Sequence, residues 1–100
     1  MQFEMTFYSQ TPINTVRLWI DENNDGVLSG HEEIKMFPSS GVWQGSSSKP
    51  HSGKIFVCRL ICLHNTEWQF KVSDDSGNTV YDTGRCTMTA SKEQLVGKIP

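Results

Sequence analysis

GKIFVCRLICLH, residues 53–64, places Phe56, Cys58, Leu60 and Cys62 on one side of an extended chain and Ile55, Val57, Ile61 and Leu63 on the other, because successive side chains alternate across a strand. Only Arg59 interrupts the second side. A run that is apolar on both faces is expected to form a central strand covered on both sides. Its short length, flanking turn residues and β-forming composition favour strand over buried helix. Downstream, TEWQFKVSD (66–74) alternates, with Trp68, Phe70 and Val72 inward and Gln69 and Lys71 outward. It runs into Asp75-Ser76-Gly77-Asn78, a turn cluster, so NTVYDTG (78–84) reads as its hairpin partner. Gly84 breaks that strand, RCTMTA resumes the alternation through Cys86, Met88 and Ala90, and Leu95, Val96 and Ile99 mark a last edge strand.

Upstream, TVRLWID (15–21) points Val16, Leu18 and Ile20 one way and Arg17 and Trp19 the other, and Phe3, Met5 and Phe7 alternate with Gln2, Glu4 and Thr6. Seven to eight short strands at this spacing predict an all-β fold, a small antiparallel β-sandwich of immunoglobulin-like or related type, forming a single domain over residues 1–100. The stretch QGSSSKPHSGK, residues 44–54, is expected to be a mobile loop, since its glycines, serines and proline bury little. A short helix is expected near 30–37, where Ile34 and Phe37 are spaced for one helical face and Ser29 with Glu32 fits a capping box.

Nine basic and eleven acidic side chains leave the chain near neutral. No run of basic residues offers the concentrated positive face on which phosphate binding depends, so nucleic acid is not an expected partner. Nor does any stretch approach the roughly 18–20 apolar residues of a membrane span. Three cysteines, Cys58, Cys62 and Cys86, are an odd and sparse set. They suggest free thiols and a cytoplasmic setting, although an exported chain without its signal would have the same composition.

The segment that carries chemistry is DENNDGVLSGHE, residues 21–32. Oxygen-bearing side chains stand at its first, third, fifth and ninth positions (Asp21, Asn23, Asp25, Ser29), glycine at the sixth (Gly26) and glutamate at the twelfth (Glu32), with Leu28 eighth. Over these twelve residues the chain resembles the calcium-binding loop of the EF-hand family. The resemblance implies Ca2+ as cofactor, held by Asp21, Asn23, Asp25, the Val27 carbonyl, Ser29 and Glu32, with Gly26 allowing the sharp bend and Glu32 closing the shell bidentately. The flanks depart from that family, since TVRLWI enters as a strand and no paired loop follows. An alternative stands beside this reading: Asn24, Asp25 and Gly26 make a good β-turn, and a polar turn needs no ion.

Other constellations carry less. Cys58, Cys62 and His64 are close in sequence, but on a strand rising about 3.3 Å per residue the two cysteines lie about 13 Å apart, too far to share a zinc ion. Gly53-Lys54 lacks an upstream glycine at phosphate-loop spacing. No acid and base stand at a credible catalytic spacing, so an enzyme is not expected. Trp19, Trp43 and Tyr81 are candidate ligand-binding aromatics, with packing as the alternative. The expectation is therefore a binding module with a calcium loop. Its partner is an unidentified protein or carbohydrate, or a second copy of the chain in a homo-oligomer.

Overall fold

The computed structural model describes residues 1–49 and 51–100. The elements run β1 (Gln2–Phe7), β2 (Thr15–Asp21), a single 3-10 turn (Gly30–Glu32), β3 (Glu33–Ile34), β4 (Phe37–Ser39), β5 (Val42–Ser46), β6 (Ile55–Ile61), β7 (Glu67–Ser73), β8 (Thr79–Asp82), β9 (Cys86–Thr87) and β10 (Lys92–Lys98). Among the described residues ten strands appear where the periodicity suggests seven or eight. The additional ones include β3, β4 and β9, of two or three residues each, too short to display a period.

The strands form two antiparallel sheets. One is ordered β4-β5-β1-β7-β8, with β9 also pairing on β7, and the other β10-β6-β2-β3. The all-β sandwich is therefore as the alternation predicts, including the β7–β8 hairpin and β10 as an edge strand. Phe3, Met5 and Phe7 with Trp68, Phe70 and Val72 line the inner face of the first sheet. Val16, Leu18 and Ile20 with Phe56, Cys58 and Leu60 line that of the second, and these side chains form one buried cluster. Cys58 and Cys62 are fully buried within it and act as small apolar residues.

Strand β6 is central, between β10 and β2, but its second face is not covered by another layer. Val57 is buried, whereas Ile61 is 38% and Leu63 53% exposed. Neighbours in the same sheet provide the cover: Val57 lies in a row Val96–Val57–Trp19–Glu33 running across all four strands. Side chains at adjacent ladder positions shield an outward apolar residue without a third layer.

The helix expected near 30–37 is reduced to the 3-10 turn at Gly30–Glu32. Tertiary pairing overrides the helical spacing. Glu33 joins β2 opposite Trp19, where its carboxylate accepts two hydrogen bonds from Arg17 at 3.0 and 2.9 Å. Ile34 pairs with Leu18, and Phe37, needed for the helical face, is instead 66% exposed. Pro38 then sits in β4 at the sheet edge, where a missing N–H is tolerated.

The loop expected over 44–54 is also shorter. Gln44, Gly45 and Ser46 belong to β5, which pairs with β1, and His51 is buried. Backbone bonds tie the remainder down, from Ser47 N–H to the Met1 carbonyl (3.0 Å), Lys54 N–H to the His51 carbonyl (3.0 Å) and Gly53 N–H to the Ile99 carbonyl (2.6 Å). Composition measures what side chains can bury and is silent about such backbone partners. Pro50 of this stretch lies outside the described residues.

Lys35 and Met36 carry the chain from one sheet to the other, between β3 and β4, and Gly45 makes room for them. A Cβ at position 45 would lie 2.6 Å from the Lys35 carbonyl oxygen and 2.7 Å from Met36 Sδ. Since backbone cannot give way cheaply, Gly45→Ala is expected to cost about 1–3 kcal/mol as an overpacked site. Thermal denaturation should then show a midpoint at least about 4 °C below wild type. A melt within about 1 °C of wild type, on the same scale, would mean that the crossing relaxes freely.

Candidate metal centre

Residues 21–32 connect β2 to β3, so the loop bridges two neighbouring strands of one sheet and not two helices. Its course follows from two left-handed positions, Asn24 (φ 53°) and Gly26 (φ 73°), which asparagine and glycine tolerate better than other residues. The bend turns backbone N–H groups inward. Asp21 accepts from Asp25 N–H at 3.2 Å and Gly26 N–H at 3.0 Å, and Asp25 accepts from Val27 N–H at 3.0 Å.

Glu32 closes the loop from the other end. One of its oxygens accepts from Glu22 N–H at 2.7 Å, the other from Ser29 N–H at 3.3 Å and Ser29 Oγ at 3.1 Å. Asp21 and Glu32 are each only 6% exposed, while Asp25 is on the surface. One carboxylate oxygen from each of Asp21, Asp25 and Glu32 lies within 4.8 Å of the others. Oxygens bound to one calcium at 2.3–2.6 Å can be at most about 5 Å apart, so the spacing suits a shared ion. No Lys, Arg or His forms an ion pair with these three carboxylates among the described residues. The nearby Lys54 ammonium donates to the Glu22 carbonyl, at 2.7 Å.

The other residues of the sequence pattern are less gathered. Asn23 and Val27 are exposed, Val27 by 60%, and the Ser29 hydroxyl is engaged by Glu32. The three candidate aromatics do not meet. Trp19 lies on the outer face of the second sheet, 5% exposed, beneath the guanidinium groups of Arg17 and Arg59 at 4.6 and 5.0 Å from its ring centre. Trp43 and Tyr81 pair with the inward-facing Met5 and Val72 and pack against the core from β5 and β8. Two strands separate β5 from β8, placing these two aromatics about 14 Å apart at roughly 4.8 Å per strand.

Two groupings are visible only in the folded chain. Arg17 and Arg59 stand directly opposite each other on β2 and β6, and with Lys92 they line a groove of about 380 Å3. Residues 17, 59 and 92 make no basic run in the sequence, so charge counting along the chain misses them. Likewise Ser47, His51 and Glu22 come together beside the loop, with His51 Nε2 2.7 Å from Ser47 Oγ and its Nδ1 against the Glu22 carboxylate. No local spacing marks this set.

The Gly26 N–H, with further N–H groups from Asp25 and Asn24, holds the Asp21 carboxyl below its ordinary value of 3.8, while burial works in the opposite direction. A carboxyl depressed by folding takes its proton more readily in the unfolded chain. Its contribution to stability is therefore present above about pH 4 and is lost as pH falls through the lower folded value. In chelator, acid should reduce the melting midpoint of wild type more steeply below pH 4 than that of Asp21→Asn. Parallel acid profiles would remove Asp21 from the stability of the loop. No protein-family model matches the chain, and neither curated proteins nor solved structures provide a match.

Proposed function

We propose that residues 21–32 hold a calcium ion, which braces the β2–β3 connection of a small β-sandwich acting as a binding module. The observation that carries this reading is the convergence of Asp21, Asp25 and Glu32, two of them buried, with oxygens inside 4.8 Å and, among the described residues, no cationic side chain paired to them. Like charges gathered this closely are stabilised best by a cation between them, and calcium accepts the hard, irregular oxygen shell that such a loop supplies. Asp21, Asn23 and Asp25 would contribute side-chain oxygens, Val27 its carbonyl, Ser29 an oxygen directly or through water, and Glu32 two oxygens.

A glycan-binding platform finds less support. Trp19 is covered by two arginines, and Trp43 and Tyr81 face the core from separate strands. A protein partner is the better reading for the module, with exposed Ile61, Leu63 and Val96 as apolar surface. Among the described residues no helix is long and apolar enough to cross a membrane.

Calcium at about one hundred times its dissociation constant should stabilise the fold by about 2.7 kcal/mol, raising the melting midpoint by roughly 10–20 °C for a domain of this size. Asp21→Ala and Glu32→Ala should each abolish that shift, and magnesium should produce less of it because it demands strict octahedral geometry. A wild-type midpoint in millimolar calcium within about 1 °C of the chelator control would reduce residues 21–32 to a polar turn.

A further inference from the structure

Three side chains from two connections form a relay beside the β2–β3 loop. Ser47 follows β5 directly, His51 lies in the connection to β6, and Glu22 begins the connection out of β2. His51 is 2% exposed. Its Nε2 is 2.7 Å from Ser47 Oγ, and its Nδ1 contacts the Glu22 carboxylate. That contact is an ion-pair approach without hydrogen-bond alignment, and an ionised carboxylate facing Nδ1 favours the tautomer with the imidazole proton there. In the neutral ring Nε2 is then the acceptor, and the Ser47 hydroxyl donates to it. Lys49 N–H occupies a lone pair of the same hydroxyl oxygen at 3.2 Å.

Backbone contacts fix the relay at both ends. Glu22 is anchored by its N–H to Glu32 and by its carbonyl to the Lys54 ammonium, and Ser47 by its N–H to the Met1 carbonyl. Glu22, Ser47 and His51 line one groove of about 290 Å3, together with His31, Ile34 and Lys49. A nucleophile bonded to a base that a third group orients, open to a groove, is the geometric signature of covalent catalysis.

We propose that Ser47 is a nucleophile activated by His51, with Glu22 as the positioning residue, and that the groove takes a small carboxylic ester. Ser47 Oγ attacks the carbonyl carbon as its proton passes to Nε2. The carbon–oxygen bond to the alcohol then breaks, and the alcohol leaves with the proton from Nε2. Water, deprotonated by the same nitrogen, attacks the acyl group, releases the carboxylic acid and restores the serine. Lys49, His31, Ser46 and Ser48 line the same groove and are the side-chain donors available to the oxyanion formed at each addition. The relay shares no side chain with the neighbouring carboxylate cluster, and it meets that loop through the Glu22 N–H bond to Glu32.

The test is covalent labelling of the full chain by a fluorophosphonate probe, read by peptide mass spectrometry, in calcium and in chelator. A single adduct on Ser47 is expected in both, absent from Ser47→Ala. His51→Gln keeps a polar side chain but no base, and should slow labelling about a hundredfold or more. Glu22→Gln preserves shape at a partly exposed position, and should slow it at least about tenfold with the melting midpoint unchanged, because the amide no longer fixes the tautomer. Glu22→Asp should restore part of the rate. Should His51→Gln not fold, the two Glu22 variants and Ser47→Ala decide the matter. An unlabelled Ser47 in folded wild type, or labelling as fast in Glu22→Gln as in wild type, would overturn the proposal and leave the three residues as a polar staple.

Discussion

Phe56 on β6 and Phe70 on β7 face each other across the sandwich with ring centres 5.4 Å apart, and Tyr81 on β8 meets Phe56 edge-on at 5.0 Å. Each sheet has one apolar face that water will not tolerate, and this contact is where the two faces close on one another. Truncating a fully buried phenylalanine costs about 3–5 kcal/mol, a large part of the margin of a domain this small. Cys58 lies on the same inner face, and burial raises its thiol pKa well above the ordinary value. The thiol therefore stays protonated and inert.

With the sheets held face to face, the connections around them take up chemistry. The β2–β3 connection leaves the sheet at Asp21 and returns at Glu33, which brings the first and last carboxylates of the loop together at the mouth of a hairpin. A helical exit is unnecessary for this closure, because strand pairing supplies the same proximity. The buried Glu32 has two roles here: its oxygens take up Ser29 and the backbone of Glu22, and they lie where an ion would be shared. Glu22 in turn contacts His51 from the β5–β6 connection. The carboxylate loop and the Glu22–His51–Ser47 set are thus neighbours that meet along one stretch of backbone.

The outer face of the second sheet illustrates a different solution. Arg17 and Arg59 are directly opposed, an arrangement that repels, yet the guanidinium groups of both lie over the Trp19 ring. Glu33 binds the first and Gln94 accepts from Nε of the second at 3.0 Å. The arginine stems and planes replace a covering layer, which is how a tryptophan on an outward-facing position becomes buried.

Residues 1–7, 15–21, 55–62, 66–74 and 78–84 could be read as strands from their alternation alone, because the two-residue period is a local property that a buried face imposes on each strand separately. The gathering of Asp21, Asp25 and Glu32 was legible for the same reason: all three lie in one short loop, where spacing in sequence is spacing in space. Strands β3, β4 and β9 are too short for a period and exist through their partners. The helix expected after Ser29 gave way because Glu33 and Ile34 gain more by pairing with β2 than by a helical turn. The cover over Trp19, the ordering of residues 47–49 and 51–54 and the meeting of Glu22, Ser47 and His51 all depend on which strands neighbour which. That order is set by long-range burial, and no period along the chain records it.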